Sequence, residues 1–406
     1  MDFEYSEKSR RIQAQLQAFI AEHIAPIHAE WYRLVEEEHV YPPPFIEELK
    51  AKARAAGLWN LFLPGLRPDE PGTQMSNLDY APCAEIMGRW RWSPEIFNCN
   101  APDTGNMELL HLAASPAQRE EWLMPLLEGK IRSSFAMTEP DVASSDATNI
   151  RTRIERQGGD YVINGRKWFI TNAADPRTRL FIVMGQTNPD APEPHRRQSM
   201  ILVPREAKGV TIVRNPPVMH HTAPEGHCEI LFENVRVPAA NLLGEEGSGF
   251  ALAQARLGPG RIHHCMRSIG QCELALELMT KRALERETFG RKLHEHGTVA
   301  EWIALSRIEI EQARLLVLKA AWLMDKHGNK AARREVGLIK VAVPRMQVQI
   351  ANRAMQVFGA KGLTQDTPLA DIWTQGRILQ FADGPDEVHL RTIARQEVRA
   401  MERRNS

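Results

Sequence analysis

The stretch IRTRIERQGGDYVINGRKWFITNA, Ile150–Ala173, decides how the chain is to be read. Short β-capable runs rich in Ile, Val, Tyr and Trp are broken at Gly158-Gly159-Asp160 and again at Asn164-Gly165, both turn signals. The pattern starts near Arg132 and continues through RLFIVMGQT, RQSMILVPR, GVTIVRN and HCEILFENVRV to about residue 240. Strands this closely spaced predict a compact β domain rather than βαβ units, which need intervening helices. The segment NPDAPEPHRRQ reads as a polar, proline-rich loop.

Helical texture flanks this region on both sides. Ile12, Leu16, Phe19, Ile20 and Ile24 recur at helical spacing after Ser6, a plausible cap. FIEELKAKARAAG predicts a helix ending at Gly57, and 78–91, 100–115 and 117–128 predict others, the last starting at Pro116. Past Gly249, long periodic stretches cover about 249–285, 298–327, 332–357 and 368–381. A thirty-residue helix spans about 45 Å, so these imply a bundle packed through apolar stripes.

Composition removes several function classes. Lys plus Arg and Asp plus Glu both number 51, which gives no support to a nucleic-acid partner or a polybasic membrane surface. The five cysteines show no zinc-site spacing and fit a reducing interior. The start, MDFEYSEKSRR, is polar, so no secretory signal is expected and the cytoplasm is the expected compartment. LLVLKAAWLM is too short to cross a bilayer, so no membrane insertion is expected.

No Gly-x-Gly-x-x-Gly lies between a strand and a helix, and no Gly-x-Ser-x-Gly or His-Glu-x-x-His occurs. His263 and His264 are adjacent and must point in different directions on a helix, and no metal site is expected. In SSFAMTEPDVASSD and KWFITNA, Phe135, Thr138, Phe169 and Thr171 could surround a planar heterocycle, or simply belong to a β core. On a regular strand Trp168 and Phe169 would face opposite sides. Arg286, in LERETFG, could hold a phosphate or merely end a helix. Near the carboxyl end, RILQFADGPDEVHLRTIARQE sets Asp383, Asp386 and Glu387 around a Gly-Pro break. Locally, Asp383 could cap the following helix, with Asp386 and Glu387 as exposed first-turn acids.

FAMTEPDVASSD, YVINGRKWFITNA, LFENVRVPAANLLGEEGSGF, RALERETFGRKL and AMQVFGAKGLTQDTPLADIW, in this order, resemble the acyl-CoA dehydrogenase flavoproteins over nearly the whole chain. ADGPDEVH is similar to the subgroup of mammalian family members ten and eleven. The resemblance implies an α+β fold: a helical domain (1–131), a central β-barrel-like domain (132–244) and a carboxyl-terminal four-helix bundle (245–406). It implies that Phe135, Met137 and Thr138 line the FAD ring, joined by Phe169 and Thr171, with Ser144 reaching substrate or cofactor phosphate. Arg286 and Phe289 would approach FAD from a neighbouring subunit, with Gln356 and Gly359 nearby.

The same likeness puts Asp383 where most members carry the glutamate that removes the substrate α-proton. It gives carbonyl polarisation to the backbone N–H of Gly384 or Asp383, and leaves Arg261 to position or tune the acid. The implied reaction converts an acyl-CoA thioester to a trans-2-enoyl-CoA. A homotetramer and electron transfer to an electron-transfer flavoprotein, or another acceptor, are the implied partners. An aspartate base is also the pattern of nitroalkane oxidase, an alternative that oxidises nitroalkanes with oxygen. A non-catalytic flavin-binding or scaffolding homologue is the other.

Overall fold

The computed structural model describes residues 4–405. Its main helices are α1 (Glu7–Phe19), α2 (Ile46–Ala55), α3 (Asn77–Gly88), α4 (Asp103–Ala113), α5 (Gly249–Glu285), α6 (Gly297–Ala331), α7 (Arg333–Phe358), α8 (Leu369–Leu379) and α9 (Asp386–Asn405). The strands are β1 (Arg132–Ala136), β2 (Arg153–Gln157), β3 (Asp160–Thr171), β4 (Thr178–Gln186), β5 (Gln198–Pro204), β6 (Val210–Arg214), β7 (His227–Pro238), β8 (Leu242–Leu243), β9 (Glu287–Thr288) and β10 (Arg291–Lys292). Contacts gather these into two compact units, one of residues 4–20, 75–94 and 258–405, the other of 21–74 and 95–257.

In the first unit the expected periodic segments are helices. Ser6 caps α1 by accepting from the Ser9 N–H at 3.1 Å. Gly328, at φ 78°, breaks the periodic part of α6 three residues before its end. α3 and α5 approach so closely that a Cβ on Gly270 would collide with the Glu85 carbonyl. Glu85 also receives Arg314 of α6, Nε at 3.0 Å and Nη2 at 2.7 Å, a paired grip that ties α3 to α6.

The second unit holds the sheet. Its strand order is β6-β7-β3-β2-β4-β5-β8, with β1 beside β4. This corrects the barrel-like expectation: the sheet is open, because β6 and β8 remain as edges and β8 is only Leu242–Leu243. It is nevertheless strongly curled. Phe181 on β4 and Phe232 on β7 stand three strand steps apart, about 14 Å if flat, yet their rings lie 6.4 Å from each other. Ile154, Ile163, Val183, Ile201 and Ile230 fill the core inside this curl. The curl, not closure, buries the apolar face.

Gly158-Gly159 is a hairpin turn between β2 and β3, as expected, with Gln157 opposite Asp160. Asn164-Gly165 is not a turn. β3 runs straight through it, and Gly165 is required because any Cβ there would strike Thr152. Opposite it β7 carries an extra residue, with Asn234 at φ 50°, and the Asn234 N–H donates to Asn164 Oδ1 at 2.7 Å. A second bulge follows on β3 itself between Lys167 and Ile170, and it restores the original register.

Candidate functional site

The second bulge sets out the residues expected at the flavin. Phe169 takes φ 52° and is 48% exposed, and its ring lies 4.6 Å from that of Trp168. The expected alternation therefore fails: the bulge breaks the two-residue period and brings both aromatics together. The Trp168 N–H donates to the Thr138 carbonyl at 3.0 Å, so the bulge is tied to the loop that follows β1. Thr171 Oγ1 and His227 Nδ1 share a hydrogen bond of 3.1 Å. Phe135, half-buried at the end of β1, lies under the Arg256 guanidinium at 4.6 Å.

Beneath this loop is a buried ion pair. Lys167 Nζ donates to Glu139 Oε1 and to the Met137 carbonyl, both at 2.8 Å. Glu139 also accepts from the Arg151 and Thr152 N–H groups at 2.7 and 2.9 Å and from Thr152 Oγ1 at 2.6 Å. Burial lowers Lys167 to about 8 against the opposing pull of Glu139. Burial pushes the Glu139 carboxyl up, but Lys167 and the hydrogen bonds prevail and hold it down. Ser144 Oγ accepts from the Glu139 N–H at 2.9 Å. It thereby closes this loop.

In the first unit, Asp383 sits at φ 56° and Gly384 at φ 105°, between α8 and α9. Asp is among the residues that tolerate the left-handed region, whereas a Cβ on Gly384 would lie 3.1 Å from His389 Nε2. Arg261 Nε donates to the Asp383 carbonyl at 2.8 Å. Lys340 Nζ donates to the Leu379 carbonyl and, at 3.4 Å, to that of Gly384. Two cations thus fix the peptide planes of the turn. In the planar peptide joining Asp383 and Gly384 the N–H opposes the C=O, so the Gly384 N–H points away from Arg261. His264 Nε2 stands 3.6 Å from Asp383 Oδ2. Burial, reinforced by Arg261 and Lys340, drops His389 to about 4.

The neighbouring acids differ from expectation. α9 begins at Asp386, and the Pro385 carbonyl accepts from the Val388 N–H at 3.0 Å, so Pro385 takes the cap position. Asp386 is 4% exposed, with Arg345 Nε at 2.7 Å, rather than being a solvated first-turn acid. Glu387 is exposed, as expected.

Arg286 follows α5 directly, and β9 and β10 form a hairpin turned by Phe289 and Gly290, at φ 51° and 76°. The Phe289 ring is 95% exposed. Arg282 lies over the Phe358 ring at 5.6 Å, bringing the end of α7, with exposed Gln356 and Gly359, beside the end of α5. Among the described residues, no group of His, Cys, Asp or Glu is arranged to hold a metal ion. No described helix is long and apolar enough to cross a membrane.

Sequence reasoning missed Glu139, Lys167 and Arg345, and weighed His264 only as a metal ligand. A lysine and a glutamate inside otherwise β-capable or turn segments were the available signal for the first two. The others depend on tertiary contacts with no local mark.

Family models for the amino-terminal, middle and carboxyl-terminal domains of acyl-CoA dehydrogenases match residues 6–130, 134–235 and 247–398. Probable acyl-CoA dehydrogenase FadE2 of Mycobacterium tuberculosis is 56% identical over 98% of this chain and 97% of its own. Acyl-CoA dehydrogenase family member 11 of Gallus gallus is 50% identical over 98% of this chain, which spans only 51% of that protein. Among solved structures, one from Mycobacterium abscessus assigned to the acyl-CoA dehydrogenases superimposes with a TM-score of 0.94 at 47% identity, covering 98% of this chain and 100% of that one. Butyryl-CoA dehydrogenase from Megasphaera elsdenii gives 0.82 at 25% identity, with 98% and 100% covered. The chain belongs to the acyl-CoA dehydrogenase family.

Proposed function

We propose that this protein is an FAD-dependent acyl-CoA dehydrogenase in which Asp383 removes the α-proton of the thioester. The observation that carries the assignment of the base is the turn itself. Asp383 occupies a left-handed position whose carbonyl is held by Arg261, while the neighbouring Asp386 is committed to Arg345.

The residues expected at the cofactor fit a planar, mostly apolar ring with a polar edge. Phe169 is exposed on a bulge, Thr171 carries a hydroxyl, and the backbone at Met137 and Thr138 is braced by Lys167 and Trp168. When bound there, FAD supplies the acceptor for the hydride that leaves the substrate β-carbon. The chain supplies the rest. Asp383 takes the α-proton, and the Gly384 N–H stabilises the negative charge that develops on the thioester oxygen. Arg261 and Lys340 keep the turn from relaxing as that charge moves. Ser144, Arg286, Phe289, Gln356 and Gly359 are assigned to the cofactor's remaining contacts, the last four through a neighbouring subunit.

A homotetramer, an electron-transfer flavoprotein as acceptor and a cytoplasmic setting complete the reading. The identity to family member 11 supports a place beside members ten and eleven, in company with FadE2. Anaerobic mixing with acyl-CoAs of varied length and branching tests the reaction. Loss of the oxidised-flavin band with enoyl-CoA formed is expected. Bleaching by nitroethane, with none by any thioester, would assign the oxidase instead.

A further inference from the structure

We propose that His264 is a positioning residue for the base: it presents Nε2–H to the Asp383 carboxylate while Arg267 occupies Nδ1, so it steadies the acid without taking its proton. The inference rests on Asp383 being the base.

His263 and His264 follow one another on α5 and part company. His263 is buried edge-on against the Tyr80 ring, with centroids 5.1 Å apart. His264 turns to the Asp383 loop, its Nε2 lying 3.6 Å from Oδ2. Three residues further along the same face, Arg267 Nη2 lies 3.3 Å from His264 Nδ1. A guanidinium has only donors. Nδ1 must therefore offer its lone pair, and the neutral ring carries its proton on Nε2, the atom nearest the carboxylate.

The 3.6 Å separation is an electrostatic contact, slightly longer than a hydrogen bond. Catalytic contacts commonly stand this far open before substrate binds and tighten afterwards. The other charged or titratable groups of this cluster are Arg261 and Cys265 on α5, Lys340 on α7, and Asp386 and His389 on α9. Arg261 and Lys340 grip carbonyl oxygens of the turn, and Asp386 is held by Arg345. His264 addresses the reacting carboxylate. Its Nε2 already carries a proton, so one that lands on Asp383 stays there until product leaves.

Holoprotein labelled with 15N-histidine, with H264Q to assign the signal, reads the contact without turnover. A protonated Nε2 and a bare Nδ1 are expected, and in D383N the ring should titrate at lower pH because its anionic neighbour is gone. A protonated Nδ1, or a titration unmoved by D383N, would overturn the proposal. Flavin reduction by octanoyl-CoA under anaerobic conditions reads the consequence. H264L should slow it about 10- to 100-fold with KM little changed, and the acid limb of its pH profile should move to higher pH. H264Q, which keeps an N–H near the same place, should restore most of that loss. Equal rates for the two variants would also overturn it. If H264L fails to fold, H264Q and the tautomer still decide. Should no thioester bleach the wild-type flavin, the proposed reaction fails, while the histidine spectra still test the contact itself.

Discussion

Arg345 Nε donates to Asp386 Oδ2 at 2.7 Å, and this pair separates the roles of two aspartates only three residues apart. Asp386 is buried, and its charge is answered by the half-exposed Arg345. The Asp383 carbonyl accepts from Arg261 Nε at 2.8 Å. Asp386 serves the fold, and Asp383 is the acid proposed for the chemistry.

The two should therefore respond differently to the same change. D383N should fold, retain FAD and reduce its flavin with acyl-CoA at least about 100-fold more slowly, because shape survives while the base is lost. D386N should keep the reaction but lose about 1–3 kcal/mol of stability, the usual cost of weakening a buried charge-assisted hydrogen bond. Stopped-flow absorbance and chemical unfolding separate the outcomes. Undiminished reduction in D383N would remove Asp383 from the mechanism.

K167M should cost about 3–5 kcal/mol, since it strands the Glu139 carboxylate beside its backbone donors without the cation that offsets its burial. Thermal unfolding would read this. FAD retention should fall with it, because Lys167 also holds the Met137 carbonyl.

His389 makes the protein acid-sensitive. Its folded value, about 4, lies below the ordinary 6.5. Between these the unfolded chain holds more proton, so stability falls as pH drops through the window, by at most about 1.4 kcal/mol per pH unit. H389Q should flatten the stability curve there. An unchanged slope in denaturant titrations at pH 4.5 to 6.5 (roughly the span of interest) would exclude this histidine as the cause.

G270A should destabilise the bundle by about 1–3 kcal/mol or more, because the new methyl group meets the Glu85 carbonyl and the helices must separate. A melting temperature equal to that of the wild type would show that α3 and α5 can shift apart freely.

The helices were legible because their signal is local. Periodicity reproduced α5, α7 and α8 to within two residues, and Ser6 and Pro116 behaved as written. The strands too were found in the right places. What sequence could not show was irregularity that needs a partner. Asn164-Gly165 has the composition of a turn, but Thr152 and Asn234 make it a close passage within β3. Alternation put Trp168 and Phe169 on opposite faces, and a bulge on the same strand brought their rings together. Openness of the sheet was hidden for the same reason, since edge pairing is not encoded in any one strand. At the proposed base the acid was legible through family likeness. His264, which faces it from more than a hundred residues away, and Arg345, which holds the neighbouring Asp386 from some forty residues away, become visible only in the fold.

The two bulges in the β3–β7 ladder behave as a dislocation and its compensator. The first adds a residue to β7 near Asn234, and the second adds one to β3 at Trp168-Phe169, so the strand ends meet as though neither existed. Removing Phe169 alone would leave the mismatch at Asn234 uncorrected and slide Thr171 out of step with His227. Removing one residue from each strand would leave both ends matched and erase the aromatic step between them. The position of an exposed ring beside the proposed cofactor site is thus written jointly in two distant segments, and neither can be edited alone.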